Sequence, residues 1–393
     1  MTDWKQRKAP VLRFKGFTDV WEQRKLGEVA QIVRGASPRP INNPKWFDSE
    51  SNIGWLRISD VTSQKGKIYH LEQHISKLGQ QKTRVVTTPH LLLSIAASVG
   101  YPVINYVPTG VHDGFIIFEN LKLNIDFGFF WLQNFRPIWK KYGQPGSQVN
   151  LNRSIVSNTK ICFPSNIEQR KIVDLLNQIT KLQFLQQRKI KILSKIEKTL
   201  LNSLINFQTK DKIKLSELIS ISKCSIDPQN TPKTLYMEYS MPAYDSNKKP
   251  NKVYGVAMHS TRLKINEPVI LFNKLNVRKK RIWNIKKVPQ NSVSSAEFIP
   301  LKAQTIYQDY LYYALNTDYV LYKAISLSTG SSNSQKRIVP KDLLTMKIPV
   351  PNIQQQKNIA SLLDRYDSEI KNYKKKVVFL VKLKKFLLQN IFI

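Results

Sequence analysis

The spacing of apolar side chains becomes helical at two places, and these set the organisation of the chain. Ile359, Leu363, Tyr366, Ile370, Tyr373, Val377, Leu380, Leu387 and Ile391 recur with 4-3 spacing, interrupted only at Lys384. That is the seam of a coiled coil. The same register upstream gives Ile172, Leu176, Ile179, Ile190, Leu193, Leu200, Leu204 and Phe207, with Gln183, Gln186 and Glu197 at seam positions. A helix of about 40 residues spans roughly 60 Å. Two such helices are expected to pair antiparallel, because the globular stretch between them lets the chain return. The alternative is that each packs only on its own domain.

Both helices begin on one sequence frame. Pro164-Ser-Asn-Ile-Glu168-Gln169-Arg-Lys-Ile172-Val-Asp-Leu175-Leu176 matches Pro351-Asn-Ile-Gln-Gln355-Gln356-Lys-Asn-Ile359-Ala-Ser-Leu362-Leu363 as P-x-x-x-[EQ]-Q-x-x-I-x-x-L-L. Proline cannot continue a helix from upstream but suits the approach to a new one. A weaker echo aligns Lys25-Leu26-Gly27-Glu28-Val29 with Lys214-Leu215-Ser216-Glu217-Leu218. The chain is therefore two copies of one plan. The expected domains are an N-terminal segment (1–21), a first globular domain (22–164) with its helix (165–208), and a second globular domain (209–351) with its helix (352–393).

The globular stretches read as mixed α/β (α+β). Gly54–Ser59, Leu91–Ile95, Val103–Val107 and Phe115–Phe118 have strand character, as do Pro268–Phe272 and Arg281–Ile285, and Pro, Gly and Asn turns separate them. An aromatic helix follows in each copy, Phe127–Trp139 and Tyr307–Tyr322. Its aromatic stripe suits a core better than a base-stacking surface.

Charge changes the picture. In 393 residues, 62 Lys+Arg against 27 Asp+Glu leave a net +35, an excess that fits a polyanionic partner: DNA, RNA or an anionic membrane. No run of 18 apolar residues and no signal-like N-terminus is seen, so a soluble cytoplasmic protein without membrane contact is expected. Cys162 and Cys224, the only cysteines, lack metal-site spacing and are expected to be buried, reduced thiols.

No P-loop, H-E-x-x-H, G-x-S-x-G or G-x-G-x-x-G pattern occurs, nor the Asn-Pro-Pro-Tyr type signature of an amino-methyltransferase. His70 and His74 have i, i+4 spacing in a strand-like, polar stretch without a nearby carboxylate pair, which argues against a metal. No catalytic residue, metal site or cofactor is expected. What stands out is basic, hydrogen-bonding loops. No acid lies between Glu267 and Glu297, while Lys274, Arg278, Lys279, Lys280, Arg281, Lys286 and Lys287 crowd the interval. Such a run can grip successive phosphates and place an arginine in a groove; a solvated basic face is the alternative. Paired polar loops carry Gln148, Asn150, Asn152 and Arg153 in the first copy, and Asn333, Gln335, Lys336 and Arg337 in the second, residue types that pair with base edges or phosphates. Gly-Ser loops of this kind are also ordinary connectors. Arg34, Arg39, Arg57, Arg84 and Ser94 complete the candidate DNA contacts of a less charged first domain.

Over nearly its whole length the chain resembles the specificity (S) subunit of a type I restriction-modification enzyme. The resemblance rests on Val11-Leu-Arg-Phe-Lys-Gly-Phe17 through Trp21-Glu-Gln-Arg-Lys-Leu-Gly27, on the helix starts at Pro164 and Pro351, and on the two-copy layout. It implies two target-recognition domains that each read one half of a split, asymmetric site in double-stranded DNA, held apart by the antiparallel helices. It further implies that those helices dock two modification (methyltransferase) subunits, which carry the chemistry, and that restriction subunits join them. Gln354-Gln355-Gln356 departs from the family pattern, where an acid is common. With the helices as a ruler, inserting about four residues, roughly 6 Å of helix, should lengthen the preferred spacer by one or two base pairs. A free-standing DNA-binding regulator or an RNA-binding structural protein is the other reading of the charge.

Overall fold

The computed structural model describes residues 10–96, 99–139, 151–206, 212–332 and 335–392. The chain forms two compact units, one of residues 1–186 with 376–393, the other of residues 187–375.

In the first unit, Glu22–Lys25 pairs antiparallel with Lys160–Phe163 at the base of the globular part. A five-stranded sheet follows in the order Gln31–Arg34, Phe115–Glu119, Leu91–Ser94, Pro102–Asn105, Lys67–Ile68. Its central strands are apolar except at their last positions, Glu119, Ser94 and Asn105, because both faces are covered. Leu91, Leu93, Ile116 and Phe118 face the helix Ile125–Trp139 and its Phe127, Phe130 and Trp131. Leu92, Phe115 and Ile117 alternate to the other face, with Leu56, Val61, Ile68 and Val111. A three-stranded sheet of Gly54–Trp55, Thr109–Val111 and Arg84–Val86 completes the globular part.

The second unit repeats the frame. Lys212–Lys214 pairs with Lys347–Pro349, and four strands run in the matching order Ile219–Ile221, Phe298–Ala303, Val269–Asn273, Ile282–Ile285. Ile270, Phe272, Ile299 and Leu301 face Tyr310, Leu311 and Ala314, while Val269, Leu271, Trp283 and Phe298 turn to the other core. Here the appended sheet has five strands, Ser225–Ile226, Arg262–Lys264, Ser292–Ser295, Leu235–Tyr239 and Asn251–Tyr254. The two copies thus share a frame and differ in what is mounted on it.

The long helices are Asn166–Asn206 and Ile353–Ile391. In the second unit, Leu200, Leu204 and Ile205 pack with Ile359, Ala360 and Leu363. Lys189 meets Glu369 at 3.7 Å and lies over the Tyr373 ring. Partner numbers fall as residue numbers rise, so the helices are antiparallel. In the first unit Ile172, Val173 and Leu176 share a core with Leu388, Ile391 and Phe392. The seam polar residues Gln183, Gln186 and Glu197 are partly shielded, as are Ile190, Tyr366, Val377, Leu380 and Leu387. Phe207 lies outside the described residues.

Each helix start is held by its repeated glutamine. Gln169 Nε2 donates to the Pro164 carbonyl at 2.9 Å and its Oε1 accepts from the Asn124 amide at 3.0 Å. Gln356 does the same with Pro351 at 2.8 Å and the Tyr307 amide at 2.8 Å. Both side chains are buried. The preceding residue differs: Glu168 is 1% exposed and receives Arg13 in a bidentate ion pair at 2.8 and 2.9 Å, whereas Gln355 is exposed.

Four expectations are corrected. Only Gly54–Trp55 of the 54–59 run is strand; Ile58–Ser63 is helical, because the Asp60 carboxylate accepts from the Arg57 amide at 2.9 Å and caps a helix. The second aromatic helix is two, Gln308–Leu315 and Asp318–Ser326, broken where the Thr317 hydroxyl accepts from the Val320 amide. Cys224 is exposed and Cys162 half-buried, not both buried. His70 lies outside any strand, whereas His74 forms an isolated antiparallel bridge with Gly54 and its ring bonds the Ser51 and Leu71 carbonyls.

Candidate nucleic-acid interface

In the second unit the fold brings together the two basic loops that stand apart in the sequence. Leu275 bridges Arg337, the Asn276 amide donates to the Lys336 carbonyl at 2.8 Å, and the Ile338 amide donates to the Lys274 carbonyl at 3.1 Å. Residues 274–281 and 335–338 therefore form one surface. At its tip Arg278 and Lys279 sit exposed on the turn Val277–Lys279, which is bounded by Asn276 and Lys280 in left-handed backbone at φ 53° and 39°. That backbone aims the turn outward.

The cations there are unequal. Arg281 is 7% exposed and grips Asp245 with Nε and Nη2 at 2.8 and 2.6 Å, holding that carboxyl below its usual range. Lys280 is shielded, with burial lowering its pKa, and lies 4.0 Å from Asp318. Lys286 spans Asp309 and Asp364 at 2.9 and 3.2 Å, and Arg337 pairs with Glu297 at 2.8 Å. Lys274, Arg278, Lys279 and Lys287 of the run, and Lys336 beside it, form no ion pair among the described residues, although the Lys279 charge is felt by Asp245. Gln335 accepts from the Ser331 hydroxyl, and Asn333 lies outside the described residues.

In the first unit Asp113 gathers part of the set. The Arg34 side chain donates to its carbonyl at 2.7 Å, while Ser37 and Arg39 reach its carboxylate at 2.8 and 2.6 Å. Burial works to raise the Asp113 pKa, but the Ser37 hydrogen bond and the charges of Arg39, His112 and Arg34 bring it below the usual range. Arg57 is committed to Asp60 and Glu72. Arg84 is exposed on the edge strand Arg84–Val86. Ser94 is fully buried and accepts from the Tyr101 amide. Asn152 caps the helix Arg153–Asn158 through the Ile155 amide at 2.9 Å, leaving Arg153 exposed. Gln148 and Asn150 lie outside the described residues.

Sequence reasoning missed the sheet-edge locks. Lys67 ties Asp126 and Asn177 at 2.6 and 3.2 Å, the position that Lys286 fills between Asp309 and Asp364. The two lysines come from different strand positions, so no repeat signal marks them. Among the described residues no three His, Cys, Asp or Glu side chains could hold a metal ion, and no helix is long and apolar enough to cross a membrane.

A duplicated α+β frame, each copy bearing exposed basic loops and ending in a long helix, defines a two-reader nucleic-acid-binding protein. The family model for the type I restriction modification DNA specificity domain matches residues 18–198 and again 208–378, and the chain belongs to that family. It is a DNA sequence-recognition subunit of a type I restriction-modification system. The fold is shared with the S subunit of a type I restriction-modification system from M. genitalium, with a TM-score of 0.62 at 14% identity over 98% of this chain and 99% of that one. A chain from a structural study of complex assembly and conformational transition of the type I R-M system superposes with a TM-score of 0.56 at 17% identity, covering 94% of this chain and 96% of that one.

Proposed function

We propose that this chain is the non-catalytic specificity subunit of a cytoplasmic restriction-modification complex, binding an asymmetric, two-part target in duplex DNA. The observation that carries the reading is the unequal pair of readers: one frame mounts a three-stranded sheet, the other a five-stranded sheet beside the Lys274–Lys279 loop. Unlike readers contact unlike half-sites. The helix pair is the docking platform for two modification subunits, which recruit restriction subunits. Apolar side chains left exposed off the seam support this, among them Phe184, Leu185, Ile192, Phe379 and Phe386.

Sequencing modified bases in a host that expresses this chain with its modification subunit tests the reading. The expected result is a two-part motif with unlike halves and an unspecified spacer. Replacing residues 209–351 by another reader should change one half alone. A symmetric motif, or alteration of both halves, would overturn it.

A further inference from the structure

We propose that the ribbon formed by Leu235–Tyr239 and Asn251–Tyr254 is the groove-entering element of the second reader, taking the major groove of duplex DNA. The inference rests on the target-recognition function proposed above and names the element that performs it.

Asn251–Tyr254 is an edge strand, paired only with Leu235–Tyr239, in the register Leu235↔Tyr254, Tyr236↔Val253, Met237↔Lys252. Strand alternation places Leu235, Met237, Lys252 and Tyr254 on one face. Leu235 is 39% exposed and Tyr254 56%, and Val256, just beyond the strand, is 57% exposed. Tyr236 and Val253, on the opposite face, pack inward with Met258 and Val293. A row of exposed apolar groups on an unpaired edge invites aggregation unless something covers it.

Charge identifies what covers it. Between residues 222 and 264 the acids are Asp227, Glu238 and Asp245. Glu238 is bound by Arg262 at 2.8 Å, Asp245 by Arg281 at 2.6 Å, and Asp227 caps the Gln229 amide. Lys223, Lys233, Lys249, Lys252 and Lys264 have no acidic partner among the described residues. Arginines therefore cancel two of the three acids, the third caps a turn, and lysines are presented outward, complementary to a polyanion rather than to a mixed protein surface. These two strands are the outer pair of the five-stranded sheet, and a major groove about 12 Å wide admits two strands; lysines then reach the flanking phosphates, and apolar side chains meet thymine methyls.

The ribbon is held rigid for this task. Gln229 Nε2 donates to the carbonyls of Val256 and Met258 at 3.1 and 2.8 Å. Gly255 passes so close to the Pro228 and Thr231 carbonyls that a Cβ would lie 2.4 Å from each. The end bearing Tyr254 and Val256 is thereby fixed before DNA arrives, which lowers the ordering cost of binding.

The test uses the complex of this chain with its modification subunit. Modified-base sequencing first defines the wild-type motif; binding is then measured on duplexes carrying that motif and on duplexes with either half scrambled. Tyr254→Ala with Val256→Ala should lose about tenfold discrimination at one half-site, with the other still read as a folding control. Lys249→Ala with Lys252→Ala should weaken binding to all duplexes alike and make the slope of log K against log salt shallower by about two. An unchanged motif and unchanged salt slope in both variants, with a normal wild-type motif, would overturn the ribbon assignment and leave the target-recognition reading standing. A wild-type complex without any sequence-specific modification would sink that reading itself.

Discussion

Arg281 and Asp245 close on each other through two parallel hydrogen bonds, at 2.8 and 2.6 Å, with the guanidinium almost wholly enclosed. This pair joins the helix Met241–Ser246 to the base of the basic loop. One of the two arginines of the basic run is thus a structural post, while Arg278 and Lys279 face solvent. Arg281→Ala is expected to destabilise the chain by about 1–3 kcal/mol, through lost packing and the broken pair. Arg278→Ala with Lys279→Ala should leave the melting temperature within about a degree while reducing the salt dependence of DNA binding. Melting curves beside salt titrations separate the two roles.

The glutamines at the helix starts make a second case. Gln169→Ala or Gln356→Ala leaves a proline carbonyl and a main-chain amide without partners in a buried joint. Each should cost about 2–4 kcal/mol in urea unfolding. Substitution by Glu should cost more, because it removes the donor and introduces a buried charge.

Arg13 fastens the segment before the first domain to the buried Glu168, and the Leu12 amide donates to the Asn390 carbonyl at 2.9 Å. Arg13→Ala strands a carboxylate that is 1% exposed, at a cost of about 3 kcal/mol. Replacing both partners, Arg13→Met with Glu168→Leu, should recover most of that stability. Equilibrium denaturation of the single and double variants decides it, and no recovery in the double would refute the stranded carboxylate as the source of the loss.

Lys384 interrupts the seam and titrates in consequence. It lies over the Phe130 ring, and burial, with the Lys67 and Lys65 charges, pushes its pKa down to about 8. The unfolded chain, with an ordinary lysine, binds this proton more tightly, so between about pH 8 and 10.5 it holds more protons than the folded chain and stability rises with pH there. Lys384→Met should stabilise by on the order of 1 kcal/mol at pH 7, and the gain should shrink by pH 9.5. Urea midpoints at the two pH values read it directly.

The repeat, the helix starts and the seam were legible because each depends on local spacing. Lys384, Gln183 and Gln186 stand where the heptad register places them, polar or not. Strands such as Leu91–Ser94 and Val269–Asn273 announce themselves by continuous apolar runs. The helix at Ile58–Ser63 hides behind strand-like residues, although Asp60 three places after Arg57 is a capping signal; Thr317-Asp318 marks the broken aromatic helix in the same way. The fate of the basic run was not readable, because Arg281 is claimed by Asp245 and Lys286 by Asp364, partners far along the chain. The ribbon at Asn251–Tyr254 escaped for a different reason: Asn247-Lys-Lys-Pro-Asn-Lys252 has the composition of a loop.

The glutamine joints have one more consequence. Gln169 and Gln356 each hold two main-chain atoms, the carbonyl oxygen of a proline and the amide nitrogen of a residue before the aromatic helix. Those two contacts are blind to side chains, whereas the locks of Lys67 on Asn177 and Lys286 on Asp364 are not. A foreign domain that presents the same main chain, and brings its own edge lysine to the lock, is expected to seat on the same helix start.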